Sequence, residues 1–204
     1  METAKCRFRT GIVLLAVILI GFSSCRKAND FISSDQPPGL NGFTKYVITS
    51  GAHYTDNNNS VKVNITEWRF QVYFDSTVIY DLASEDQYDI NKLSGFADNN
   101  ELHTQYSARF GWRWSDGRLR LFGFVHNAGV FTSKEISSID IGKPYTCKIK
   151  VTGNQYLFTV EELKSSVTLK REATTPTADG YRLYPYFGGN AVAPHEINIW
   201  LKYL

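Results

Sequence analysis

The chain has 204 residues, with 22 lysines and arginines against 20 aspartates and glutamates and a formal net charge of +2. Once its N-terminal segments are set aside, one domain's worth of chain remains, enough to bury roughly 70% of its unfolded surface. The charge balance excludes a strongly basic nucleic-acid binder, and three cysteines exclude a dense disulfide framework.

At the N-terminus, Lys5, Arg7 and Arg9 form a positive stretch and Gly11 to Phe22 an uncharged apolar run, before Ser23, Ser24 and Cys25. A spanning helix needs about 20 apolar residues, so the run reads as a processing segment. Phe22-Ser23-Ser24-Cys25 resembles a lipobox, with Phe22 where leucine is usual. The resemblance implies a bacterial lipoprotein: a signal peptide over 1–24, an acylated Cys25, and firm insertion in the lipid bilayer through two acyl chains. It implies an extracytoplasmic location, on the outer membrane of a diderm bacterium. Loss of the signal takes three of the 22 basic residues and one of the 20 acidic ones, leaving 19 of each. It also removes Cys6, and with Cys25 lipidated Cys147 stands alone, so no disulfide can form within a mature chain. Residues 25–40, with Ser33-Ser34-Asp35 and Pro37-Pro38-Gly39, read as a flexible tether. The domain is expected over 41–204.

Within it, Asp56-Asn57-Asn58-Asn59 marks a polar loop. Trp68, Phe70, Val72 and Phe74 then alternate with Arg69, Gln71 and Tyr73, which predicts a strand. Asp98-Asn99-Asn100-Glu101 is a second polar loop. Asp116-Gly117 predicts a tight hairpin pairing Ser115 with Arg118. That register puts Ala108, Phe110, Trp112, Trp114, Leu119, Leu121 and Val125 on one face. Arg109, Arg113, Arg118, Arg120, Phe122, Phe124 and His126 lie on the other. A second hairpin is expected about Gly153-Asn154. It gathers Tyr145, Cys147, Ile149, Val151, Tyr156, Phe158 and Val160 on an apolar face, which makes Cys147 a small core residue. Tyr181 to Phe187 reads as a strand interrupted by Pro185, with Arg182, Tyr184 and Tyr186 on one face and Trp200 alongside. Ile197 to Tyr203 alternates as a last strand.

Many strands joined by short turns predict an all-β fold, two antiparallel sheets packed as a β-sandwich. The stretch from Tyr145 to Val160 resembles the hairpins of concanavalin A-like jelly rolls.

No acid-x-acid pair offers the two carboxyls about 5 Å apart that retaining glycosidases use. The four histidines lack HxH or HExxH spacing, and there is no GxSxG elbow. No cofactor is expected; calcium is a candidate only at the Asp56–Asn59 and Asp98–Glu101 loops. The basic, aromatic hairpin face carries the functional expectation. Arginine forks pair with carboxylates or sulfates, and aromatic rings pack on sugar C–H faces. Arg109, Arg113, Arg120, Phe122, Phe124 and His126 should therefore form an acidic-glycan site, with the two phenylalanines partly exposed. Tyr184, Tyr186 and Trp200 form a second candidate set.

The segment Tyr184-Pro185-Tyr186-Phe187-Gly188-Gly189-Asn190 superficially resembles the Tyr-rich strand of jelly-roll polysaccharide lyases. The resemblance implies arginine, histidine and tyrosine acting on a uronate polymer. The Lys-x-Gly spacing and the Arg-x-Glu-x-x-Arg motif are absent. The expectation is a glycan-binding surface lipoprotein. The alternatives are a polysaccharide lyase and a non-enzymatic structural or protein-interaction lipoprotein.

Overall fold

The computed structural model describes Pro37 and residues 39–204. The signal segment and Cys25 lie outside the described residues. Twelve strands form two antiparallel sheets, the expected β-sandwich. They are β1 (Thr44–Ile48), β2 (Lys62–Ile65), β3 (Glu67–Phe74), β4 (Asn91–Ala97), β5 (Ser107–Ser115), β6 (Arg118–Asn127), β7 (Val130–Ile139), β8 (Tyr145–Thr152), β9 (Gln155–Val160), β10 (Ser165–Lys170), β11 (Ala178–Leu183) and β12 (Ile197–Tyr203). One sheet runs β1-β12-β3-β8-β9-β10 and the other β2-β11-β4-β5-β6-β7. The helical elements among the described residues are two short 3-10 turns, Ser76–Val78 and Glu85–Tyr88, and none is long and apolar enough to cross a membrane.

Both expected hairpins form in the expected register. Thr152 pairs with Gln155 and Cys147 with Val160, so the whole apolar face of β8–β9 enters the core. Burial raises the Cys147 thiol well above its ordinary pKa, as befits a packing residue. Ser115 pairs with Arg118 across Asp116 (φ 54°) and Gly117 (φ 68°). Two successive left-handed residues give the turn whose twist matches a hairpin. Phe110 from β5 meets Phe70 and Phe158 edge to face, at 5.7 and 5.4 Å between centroids, and so joins the two sheets.

The strand expected over Tyr181 to Phe187 is shifted. β11 begins at Ala178 and ends at Leu183, ahead of Pro185, which has no N–H for a ladder. Tyr186 instead makes isolated bridges to Tyr54 and to Lys92, exchanging backbone bonds with Lys92 at 2.8 and 3.0 Å. Arg182 lies over the rings of Tyr203, Trp68 and Tyr184, and Tyr184 packs on Tyr46.

The Asp98 loop is turned inward. Arg171 Nε donates to Asp98 Oδ2 at 2.8 Å and Nη2 to Oδ1 at 3.1 Å, and the Tyr156 hydroxyl donates to Oδ2. The calcium reading of this loop is therefore corrected: its buried carboxylate is spent on an arginine. Among the described residues no three histidine, cysteine, aspartate or glutamate side chains converge as metal ligands.

Candidate functional site

The site lies on the outer face of the β2–β7 sheet. In β5, residues alternate between core and outer face, so Ala108, Phe110 and Trp112 are buried inward and Arg109 emerges outward. Arg109 is flanked in register by Gly95 on β4 and Phe124 on β6. A Cβ at Gly95 would overlap the backbone of Ala108 and Arg109, so only glycine lets the strands approach at this irregular point of the ladder. Around Arg109 opens a cleft of about 590 Å³, lined by β4, β5, β6, the loop before β5, the β11 segment and the Tyr54–Ser60 loop.

Its chemistry is one-sided. Three cations line it, Lys92, Arg109 and Arg182, together with His103, His126 and four tyrosines, and among the described residues no carboxylate does. Arg109 is only 8% exposed. Its Nη2 donates to the Tyr184 carbonyl at 2.8 Å, while its buried Nε has no hydrogen-bond partner among the described residues. Burial lowers its pKa to about 9, which leaves it cationic at neutral pH. Lys92 donates to the Gly188 carbonyl at 3.1 Å; burial, then the charge of Arg109, pushes its ammonium down to about 8.

Both histidines are held neutral. His126 Nδ1 is 3.2 Å from Ser107 Oγ; burial, followed by Arg109, His103 and Lys92, lowers its pKa to about 4. His103 is lowered by burial and then by Arg109. The Tyr181 hydroxyl accepts from the His103 backbone N–H at 3.1 Å and lies 3.0 Å from His103 Nδ1. At the other end, Tyr186 stacks on His53 (5.1 Å, 7°) and Tyr54 stands edge-on to it (5.0 Å, 82°). The Tyr184 hydroxyl donates to the Asn59 carbonyl, tying the first polar loop to the cleft wall.

Of the expected residues, the structure brings Arg109, His126, Tyr184 and Tyr186 to the cleft. Arg113 and Arg120 share the sheet face but are committed elsewhere. Arg113 donates to Ser115 Oγ and the Tyr88 carbonyl, and Arg120 pairs with Glu135 and Asp116, both at 3.0 Å. Phe122 and Phe124 are 5% exposed, against the expected partial exposure. The Arg113 guanidinium covers Phe122 at 4.9 Å, and Lys92 covers Phe124 at 5.0 Å. Trp200 is on the other sheet, packed edge-on against Tyr73 beneath Lys45.

Lys92, His103, Tyr181 and Tyr54 were missed. Lys92 sits in Asn91-Lys92-Leu93-Ser94-Gly95, whose alternation is blurred by the irregular ladder. His103 and Tyr54 come from loops, where no period signals direction.

No protein-family model matches the chain, and no curated protein matches it. Among solved structures, alginate lyase AlyC3 superposes with a TM-score of 0.56 at 11% identity, covering 79% of this chain and 74% of that one. AlyC3 in complex with dimannuronate gives 0.53 at 10% identity, over 79% and 73%. A family 7 alginate lyase, A1-II′, in complex with its product gives 0.50 at 11% identity, over 78% and 77%. At these identities the likeness is one of fold.

Proposed function

We propose that this protein binds acidic, uronate-type polysaccharide in the Arg109–Lys92 cleft. The observation that carries the reading is Arg109 itself, a buried guanidinium whose Nε has no partner, in a cleft without carboxylates, among the described residues. A buried cation is costly unless an anion pairs with it, and a ligand carboxylate supplies two oxygens in the matching planar geometry. Polymannuronate should bind and a neutral glucan should not, as read by isothermal titration. Equal binding of both would sink the charge argument. Lys92 carries its proton below about pH 8 and loses it above. Affinity should therefore fall as pH rises through that value, and Lys92→Met should flatten the fall. His126, neutral down to about pH 4, adds nothing over that window.

A second reading, β-elimination, is favoured by the neutral imidazoles and the phenols set around Arg109. In such a step Arg109 would pair with the uronate carboxylate, a neutral histidine would take the C5 proton, and a tyrosine hydroxyl would protonate the departing glycosidic oxygen. The C4–O bond breaks as the C4–C5 double bond forms, so ultraviolet absorbance of the enoate separates cleavage from binding alone. The AlyC3 and A1-II′ superpositions support a polysaccharide-related reading through shared fold.

We also propose that the domain is displayed outside the cytoplasm on an acylated Cys25. Cys25→Ala should leave an unlipidated precursor that does not partition into detergent; normal maturation of that variant would remove the anchor.

A further inference from the structure

The outer sheet face continues beyond the cleft onto the edge strand β7, where Phe131 pairs with His126. Phe131 is 63% exposed. Its ring stacks on Phe124, with centroids 5.5 Å apart and planes 8° from parallel, and meets His126 edge-on at 6.3 Å. Phe124 in turn lies under the Lys92 ammonium. A continuous path of rings therefore leads from the cationic cleft to solvent. The ring's support is well fixed. Ala128 (φ 49°) and Gly129 (φ 83°) make the tight β6–β7 turn, and Gly129 N–H donates at 3.2 Å to the carbonyl of Gln105, in the loop that also carries His103.

The fold gains little from a phenyl ring kept mostly in water, and the residues that follow it, Thr132, Ser133, Lys134 and Glu135, are polar. An exposed aromatic rimmed by polar groups and continuous with a binding cleft is the form of a ligand platform. At the opposite end of the cleft Tyr54 presents a comparably exposed ring beside Tyr186. From the β11 side to β7 is four strand steps, roughly 19 Å at about 4.8 Å each, which is longer than one pyranose ring.

We propose that Phe131 is an outer stacking platform for the same polysaccharide chain whose charged groups occupy the cleft. The ligand is then an acidic oligosaccharide of several residues laid across the strands from Tyr54 towards β7. The C–H face of an outlying sugar packs on the phenyl ring, which is already held by Phe124 and so loses little freedom on binding. This inference rests on the cleft being an acidic-glycan site.

The test compares the affinities of a mannuronate disaccharide and hexasaccharide for the full chain. The hexasaccharide should bind wild type more tightly, and Phe131→Ala should reduce that length advantage by about three- to tenfold. Phe131→Trp should restore it. The exposed position leaves the unfolding midpoint of both variants close to that of wild type. An undiminished length advantage in Phe131→Ala, with Arg109→Met still lowering affinity, overturns the platform and leaves the cleft standing. Failure of wild type to bind the hexasaccharide overturns both.

Discussion

Arg109→Met should bind acidic polysaccharide on the order of ten- to a hundredfold more weakly than wild type and yet unfold at a higher temperature. The two effects share one cause. Arg109 is buried, its Nε is unpartnered, and among the described residues no carboxylate pairs with it. In the free protein that is a desolvated charge, compensated chiefly by one bond to the Tyr184 carbonyl. A methionine of similar reach removes the charge and fills the space, which should stabilise the fold by about 1–3 kcal/mol. The same replacement deletes a charge-assisted pair with the ligand, worth about 1.5–3 kcal/mol. Thermal unfolding and titration on one preparation check both signs. A lowered melting temperature with unchanged affinity would mean that Arg109 is a structural residue.

The opposite case is Asp98. Asp98→Ala should cost about 3–5 kcal/mol of stability, because it strands the Arg171 guanidinium in the interior. The pair is dry: the side chains of Arg171 and Asp98 are 3% and 0% exposed. Asp98 also accepts from Tyr156 and from the backbone N–H of Asp179, two residues before the Tyr181 that lines the cleft. Arg171→Met added to Asp98→Ala should recover a good part of the loss, since the double variant leaves no unpaired charge. Urea unfolding of both variants measures this, and a double variant no more stable than Asp98→Ala would refute it. Arg109 and Arg171 are both deeply buried arginines, but Arg171 has its anion within the chain.

The contrast marks how far the sequence could be read. Two hairpins were legible because their information is local. Asp116-Gly117 and Gly153-Asn154 set the registers, and strict alternation then sorted every flanking residue by face. The β6–β7 hairpin was not seen, because Ala128-Gly129 is a weaker turn signal than Asp-Gly although it adopts the same left-handed pair.

The sequence by itself determined the all-β class, the registers of these two hairpins and the placing of Arg109 and His126 on the face away from the core, since turn chemistry and a two-residue period act over a few positions. Only the tertiary structure decided which members of that face remain free for a ligand. Arg113 and Arg120 share it with Arg109, but Tyr88, Glu135 and Asp116 engage them. Lys92, His103, Tyr181 and Tyr54 reach the cleft from a neighbouring strand, loops and β11. A side chain's face follows from its own strand. Its partners come from segments far along the chain, 75 residues away for Arg109 and Tyr184, and long-range packing selects them.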